Sequence, residues 1–363
     1  KLGITESAYS IFLHSLQYAF YPVFTLCFIL MLVLMKRDYG SMHKAELRAR
    51  KTGQLFEERT DQGEAPVDNS LKQLEVIPGI KLYWFNALIP VLTVIVVTIV
   101  ALFYTGSRVS GWQSEVGFFT NLSTLIGNAD SYVALLWASF SGIIVALVLS
   151  LATKTMSFRY AMETLVDGFK TMLPAIVILV LAWGLASVTE TLYTAQFLTD
   201  LFSGNVSPRI MGILTFFLAA AISFSTGTSW GTMAILYPIM LPTTYLLSVE
   251  AGLPQEEVMQ IFYNVVAAVL GGSVLGDHCS PISDTTVLSS LASSCNHIDH
   301  VRTQLPYALT IGVVCLLGDG LFDYLHVPWY LIYPIGLIVL FLIVRFVGKP
   351  IEDYKPPKEE IVA

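Results

Sequence analysis

The chain has 363 residues, of which 55% are hydrophobic and only 13% are charged. Soluble domains carry roughly 25% charged residues, so this composition excludes an ordinary soluble protein. The net charge of −7 falls in the segments between apolar runs and gives no reason to expect a nucleic-acid partner.

Apolar runs of the roughly 20 residues needed to cross a bilayer recur along the chain. In chain order they cover 12–35, 82–104, 131–151, 173–193, 305–325 and 329–347, with two longer units at 209–248 and 257–295. These runs predict an all-α polytopic membrane protein surrounded by membrane lipid. The chain begins at Lys1 rather than at Met, so we expect a processed or incomplete N-terminus.

The basic residues predict how the chain is oriented. Nine of the 20 Lys and Arg residues lie in 36–81 and three in 152–172, whereas 105–130 holds only Arg108. Cytoplasmic segments are enriched in Lys and Arg. The predicted parts are a first membrane span (1–35), a cytoplasmic loop (36–81), membrane spans with an amphipathic cytoplasmic segment at 152–172 (82–208), a broken-helix transport core (209–295), two C-terminal spans (296–347) and a cytoplasmic tail (348–363).

A cytoplasmic tail requires that one of the two long units fail to cross the membrane. Each unit is about 40 residues long and is broken in the middle. We predict that 209–248 is a re-entrant hairpin because its halves are similar in length, and 257–295 stays open as the alternative. We expect residues 105–130 to lie outside.

Both long units are interrupted by residues that disfavour a regular helix. The first break reads SFSTGTSWGT (223–232) and the second reads GDHCSPISDTT (276–286). Irregular backbone at membrane depth survives only where it is buried in protein or lines a polar cavity. Secondary transporters bind ions at such breaks. We therefore predict that the two breaks approach each other near the middle of the membrane and share a site.

Two carboxylates in the second break, Asp277 and Asp284, need compensation. Each costs about 2.5–3.5 kcal/mol near the bilayer centre, and no Lys or Arg occurs between Ile210 and Val301. A reversibly bound hard cation such as Na⁺ would compensate the charge, and protonation would remove it. Because the two states exclude each other at one carboxylate, the pattern predicts exchange of Na⁺ for H⁺ by alternating access.

The two breaks, together with HIDHVRTQLPYA (297–308) and LAWGLASVTETLYTAQFL (181–198), resemble the NhaC-type sodium/proton antiporter family. The resemblance implies inverted repeats of broken helices, Na⁺ or H⁺ coupling and the inner (plasma) membrane of a prokaryote. Family members usually have a further N-terminal half that would supply the partner repeat. The family also contains sodium-coupled carriers of organic acids and amino acids, so a Na⁺-coupled carrier or exchanger of such a solute is the alternative.

The predicted ion- or substrate-binding residues follow from the matching motifs and from three nearby polar side chains. They are Asp277, Ser280, Ser283, Asp284 and Thr285 in the second break, Thr226, Thr228 and Ser229 in the first, and His278, Asn264 and Glu190. Asp277 and Asp284 are the predicted Na⁺ ligands. We expect no cofactor and no catalytic activity, since an intramembrane aspartyl protease carries its two acids on different spans. A small organic solute and a homodimer are further candidate partners.

Three neighbouring groups receive a structural interpretation. We expect His278 to hydrogen-bond unwound backbone and orient Asp277. A zinc site built from His297, Asp299, His300 and Arg302 is the alternative to the predicted cytoplasmic rim network. Asp319 and Asp323 are predicted to lie at the membrane interface.

Overall fold

The computed structural model describes residues 4, 6, 8–52, 83–112, 117–171, 173–202, 204, 206–293, 295–325 and 327–351. The described residues form two compact units, 4–13 with 83–176 and 14–52 with 177–351. The predicted loop beyond Thr52, up to residue 82, and the tail beyond Ile351 lie outside the described residues.

In the first unit the hydrophobic helices Phe85–Val109 and Ser131–Ala152 pack against each other, with polar contacts near their ends. Asp130 caps a helix by accepting from the backbone nitrogen of Val133 at 3.0 Å, and Asn86 donates to Thr153 and Thr155 at 3.0 and 3.2 Å. Within the predicted amphipathic segment at 152–172, residues Phe158–Thr171 form a helix. The helices are α1 Ala8–Ser15, which continues into the second unit, α4 Phe85–Val109, α5 Phe118–Gly127, α6 Ser131–Ala152 and α7 Phe158–Thr171.

The second unit carries the predicted transport core. Its helices are α2 Phe20–Met35, α3 Gly40–Thr52, α8 Leu173–Thr191, which starts in the first unit, α9 Thr194–Phe202, α10 Met211–Thr226, α11 Ser229–Glu250, α12 Gln255–Cys279, α13 Asp284–Ala292, α14 His297–Leu325 and α15 Trp329–Phe346. The central helix is α12, and 72% of its most apolar 18-residue stretch is buried inside the protein. Its neighbours therefore pack around it.

Within the described residues, seven helices are long and apolar enough to cross a membrane, and a bent helix pair would make an eighth. This confirms the predicted polytopic, all-α membrane protein with broken helices. The candidate spans are Phe85–Val109, Ser131–Ala152, Pro208–Thr226, Ser229–Glu250, Gln255–Cys279, His297–Phe322 and Trp329–Phe346.

The first predicted span, 12–35, is not one straight helix. It bends by 50° between Tyr18 and Phe20, with a 3₁₀ turn at Leu16–Tyr18 before the bend. Pro22 lies in the first turn of α2 and cannot donate the hydrogen bond that would continue α1 into α2. The expectation of an unbroken span missed this effect of Pro22.

The unit 209–248 turns back on itself, but its arms are longer than those of a re-entrant hairpin. Pro208–Thr226 and Ser229–Glu250 have 19 and 22 residues, and each is long enough to cross. The break takes only two residues, since Gly227 ends α10 at φ +69° and the Thr228 side chain caps α11. The short break leaves both arms at full length.

The second unit brings three basic segments together at one end. The strand β1 (Arg37–Asp38) pairs antiparallel with β2 (Lys349–Pro350), and Arg37 donates to the carbonyl oxygens of Arg345 and Gly348, both at 2.6 Å. Arg48 of α3 lies 3.6 Å from Asp299 at the start of α14. We call this end of the unit the basic end.

Candidate functional site

The two predicted breaks touch each other. An added Cβ atom at Gly227 would lie 2.7 Å from the backbone oxygen of Ile282 and 2.8 Å from its Cγ1. Only glycine tolerates both this approach and a positive φ. The prediction that the breaks meet is confirmed, whereas their depth in a membrane stays a prediction.

Small residues allow α10 and α12 to approach closely before the breaks. A Cβ atom would collide with the carbonyl oxygen of Phe216 if placed at Gly272, and with that of Ala220 if placed at Gly276. The Ser223 hydroxyl donates to a carbonyl oxygen of α12 at 2.6 Å. Small residues four positions apart are the usual basis of close helix packing in membranes, and here they fix α12 just before Asp277.

The carboxylate of Asp277 is buried at the break, with 5% of the residue exposed. Thr285 donates to its Oδ2 at 2.8 Å, and Ser283 lies 2.8 Å from the Thr285 oxygen. Because the Thr285 hydrogen goes to Asp277, Ser283 must donate to Thr285. The result is a chain of hydroxyls ending on the carboxylate, which also faces the positive N-terminus of α13.

The break itself follows from Pro281. The residue before a proline is pushed into extended backbone, and Ser280 has φ −78° and ψ 129°. The helix α12 therefore ends at Cys279 and α13 begins at Asp284. The backbone of Asp284 starts α13, while its side chain lies outside the described part.

Four further residues predicted for the site lie in or next to the two breaks. Ser280 is fully buried in the break, and Thr228 and Ser229 lie in the adjacent turn. Thr226 is exposed and donates back to Ile222 of its own helix at 2.9 Å. The structure thus brings residues of both motifs together, with Thr226 turned away.

Asn264 does not lie beside Asp277, and Glu190 lies on a different helix, α8. Asn264 is buried within the continuous helix α12, and 13 residues at 1.5 Å each put it about 20 Å from Asp277 along the axis. Asn264 lies in the helix that precedes the break, and that helix runs unbroken from Gln255 to Cys279. Glu190 is on the exposed last turn of α8, which ends at Thr191, and Tyr193 follows with φ +53°.

The interpretation of His278 was wrong. His278 lies in the last turn of α12 rather than in unwound backbone, and its Nδ1 is 2.9 Å from the Tyr21 hydroxyl of α2. It therefore joins α12 to α2 just after the bend. No local pattern could have found this contact, because 257 residues separate the partners.

His297 has a contact at the break that its position in the sequence does not indicate. Its Nε2 lies 2.6 Å from the Pro281 carbonyl oxygen, and because a carbonyl only accepts, Nε2 carries the hydrogen. Its Nδ1 lies 3.3 Å from the Ser290 hydroxyl of α13. The sequence predicts that His297 and Asp299 share a cytoplasmic rim network. In the structure Asp299 pairs with Arg48 of α3, whereas His297 contacts the break.

Within the described part of the chain, no group of three or more His, Cys, Asp and Glu side chains is placed to hold a metal ion. The donors around Asp277 are oxygens of hydroxyls, carbonyls and the carboxylate. Such donors suit hard cations and not the transition metals that prefer imidazole and thiolate.

The fold and this site define a multi-pass membrane protein with paired helix breaks around a buried carboxylate. Residues 1–322 match the model of the Na⁺/H⁺ antiporter family. The chain therefore belongs to that family. No solved structure matches the chain.

Three relatives are similar over part of their length. An uncharacterized protein of Haemophilus influenzae is 32% identical over 90% of this chain and 57% of its own length. The malate-2H⁺/Na⁺-lactate antiporter of Bacillus subtilis is 29% identical over 54% of this chain and 35% of its own. The arginine/ornithine antiporter ArcD of Halobacterium salinarum is 26% identical over 54% and 38%. The chain spans well under two thirds of each of these relatives.

Proposed function

We propose that the protein is a secondary antiporter of a prokaryotic inner membrane that exchanges Na⁺ for H⁺, and that the two ions compete at Asp277. Family membership supports a transporter rather than an enzyme. The observation that carries the proposal is the buried Asp277 carboxylate, held by a hydroxyl chain in a stretch without Lys or Arg. A buried carboxylate with hydroxyl and carbonyl donors but no fixed cation is suited to exchanging a proton for a hard cation.

The basic end faces the cytoplasm in this proposal. It carries Arg37, Arg48 and Lys349, and Lys and Arg are enriched on cytoplasmic segments. His297, which contacts the Pro281 carbonyl oxygen, lies in the same first turn of α14 as Asp299, the partner of Arg48, and this supports a break nearer to this end. Na⁺ and H⁺ would then reach Asp277 most directly from the cytoplasmic side, past the exposed Thr285.

The test replaces Asp277 by Asn, which keeps the shape and removes the charge. We expect Asp277→Asn to insert at least as well as the parent, because a costly buried anion is removed. Na⁺-dependent proton movement in everted membrane vesicles should fall by about 100-fold or more, the lower range for loss of an essential proton-transfer group. Parental exchange should also weaken at low pH, where protons occupy the site.

The matched control is Asp200→Asn, an exposed carboxylate on α9, which should keep parental exchange. Near-parental exchange in Asp277→Asn would contradict the proposal. Loss of insertion in that variant, with surviving protein still transporting, would show instead that Asp277 is structural.

A second candidate is exchange of a small organic acid or amino acid coupled to Na⁺. Two relatives carry such solutes by name, and the second unit contains a cavity of about 570 Å³ lined by Gln17, Arg209, Glu257 and Trp329. Small-molecule sites have volumes of about 300–1,000 Å³. Thermal stability separates the two candidates. Stabilisation by Na⁺ alone favours ion exchange, and a further rise with malate, lactate, arginine or ornithine favours the solute.

A further inference from the structure

A second carboxylate, Asp319 of α14, is buried in the second unit away from the Asp277 site. Only 3% of the residue is exposed, although it lies within the candidate span His297–Phe322. No hydrogen bond or ion pair joins it to another residue in the described ranges. The predicted depth of Asp319, at the membrane interface, stays a prediction, and the side chain of Asp323 is outside the described part.

The helices α12 and α14 run antiparallel, which fixes the level of Asp319. An added Cβ atom at Gly312 would contact Leu275 at 2.6 Å, so Gly312 and Leu275 lie at one level. Asp319 is seven residues beyond Gly312, and Asp277 is two residues beyond Leu275 in the opposite direction. At 1.5 Å per residue the two carboxylate positions are about 13 Å apart along the axis.

The cavity that contains Arg209 lies on the far side of Asp319. Phe322, which lines this cavity, is three residues further along α14, or about 4.5 Å. Its ring packs against Tyr18 with the centroids 4.9 Å apart, next to the bend before α2. Cys315, Asp319 and Phe322 lie four and three residues apart and so share one helix face. Asp319 is thus between the cavity and the Asp277 site.

In the part of the chain that the structure describes, no ion pair holds Asp319 as an anion. Among the described residues of the elements packed against this part of α14, the titratable or charged groups are Cys315 on α14 itself, Tyr18, Tyr21, Tyr263, His278, Tyr330, Tyr333, and Arg209 with Glu256 and Glu257. Arg209, the permanent cation of this set, is paired with Glu257 at 2.6 Å, and the His278 ring contacts Tyr21. Burial without a partner favours the neutral, protonated form of a carboxyl group.

We propose that Asp319 is a second proton-carrying site, positioned between the Arg209 cavity and the Asp277 site. The role rests on the proposed Na⁺/H⁺ exchange. A proton enters from the cavity, is held on the Asp319 carboxyl and is released toward Asp277 when the transport site needs it. The separation of about 13 Å exceeds a direct hydrogen bond, so water or a change of conformation carries the proton across the gap. An acid within a membrane helix, buried and uncompensated, has this kind of role by default.

Infrared spectroscopy tests the site without relying on transport. In the purified Asp277→Asn protein at neutral pH, we expect the carbonyl stretching band of a protonated carboxyl group. The band should disappear on adding Asp319→Asn and remain on adding Asp299→Asn, which removes an ion-paired carboxylate at the other end of the same helix. A spectrum that is unchanged by Asp319→Asn would overturn the proposal.

Transport and ion binding then assign the role. Asp319→Asn in the otherwise parental protein should lower proton movement by about 100-fold. The Na⁺ concentration that gives half of the maximal thermal stabilisation should stay within about twofold of the parental value. Parental proton movement in this variant would overturn the relay. If Asp319→Asn does not reach the membrane, the proposal is still overturned when the Asp277→Asn protein shows no infrared band of a protonated carboxyl group. A parent without Na⁺-dependent proton movement would refute the proposed exchange and leave the infrared result to decide Asp319.

Discussion

The contact between the two breaks depends on Gly227, and replacing this residue by Ala tests it. Gly227 has φ +69°, and its missing Cβ leaves room for the backbone oxygen and Cγ1 of Ile282. Gly252 provides a control with almost the same backbone, φ +71°, and nothing within 4 Å of an added Cβ. The two substitutions share the cost of left-handed backbone and differ in the collision with Ile282.

The magnitude follows from these two terms. Placing Ala in the left-handed region costs roughly 1–2 kcal/mol, so Gly252→Ala should lower the free energy of unfolding by this amount. Forcing an extra methyl into packed structure adds about 1–3 kcal/mol, because a backbone oxygen cannot rotate away. Gly227→Ala should therefore lose about 2–5 kcal/mol. If the displaced backbone of Ile282 distorts the site by 1–3 kcal/mol, Na⁺ affinity falls by about 5- to 150-fold.

Two measurements on the purified variants check this expectation. Thermal unfolding in detergent gives the loss of stability, and the shift of the unfolding temperature with Na⁺ concentration gives the affinity. Gly252→Ala should bind Na⁺ like the parent. If Gly227→Ala matched Gly252→Ala in both measurements, the close approach of the two breaks would have no energetic consequence and the shared site would be refuted.

Two further substitutions test single hydrogen bonds. Thr285→Val removes the donor to the Asp277 carboxylate, and a hydrogen bond to a charged group contributes about 1.5–3 kcal/mol. The Na⁺ concentration that gives half-maximal exchange in vesicles should therefore rise by 10-fold or more. An unchanged concentration would mean that the hydroxyl chain does not act on the ion. Tyr21→Phe removes the contact with His278 and should lower the free energy of unfolding, measured by thermal unfolding, by about 0.5–1.5 kcal/mol. An unchanged free energy of unfolding would show that this hydrogen bond does not contribute to stability.

Much of the fold could be predicted because composition alone decides it. A chain with so little charge places its long apolar runs in a membrane as helices, because a helix satisfies all backbone hydrogen bonds within one segment. Gly227 and Pro281 act locally, on one left-handed residue and on the residue before a proline, so the breaks they cause were also predictable. The meeting of the breaks followed from the cost of leaving polar groups toward lipid.

The remaining features depend on packing between residues distant in sequence. The 50° bend before α2 falls within an apolar run that hydropathy alone reads as one span, and only Pro22 marks it locally. His278 and His297 each contact another element, α2 and the Pro281 carbonyl, which no spacing predicts. The burial of Asp319 was not predicted, because a carboxylate near the end of a span can face either the surface or the protein interior, and helix periodicity alone does not decide between them.

The pairing of β1 with β2 links two predictions that the charge count had made separately. The segment after α2 and the segment after α15 were each assigned to the cytoplasm from their Lys and Arg content. Residues joined in one ladder, Arg37 opposite Pro350, must lie on the same side of the membrane. One side assignment therefore fixes both segments, and an error in the charge rule would move both together.

Cysteine accessibility tests this linkage in a variant with the four native cysteines replaced by Ser. Lys51→Cys and Lys349→Cys, both exposed, should react with an impermeant maleimide only from the cytoplasmic side, whereas Trp112→Cys in the predicted outer segment should react from outside. Labelling of positions 51 and 349 from opposite sides would contradict the strand pairing. Labelling of both from outside, with position 112 protected there, would preserve the pairing and invert the orientation, so that the Asp277 site would open to the exterior and the Arg209 cavity to the cytoplasm.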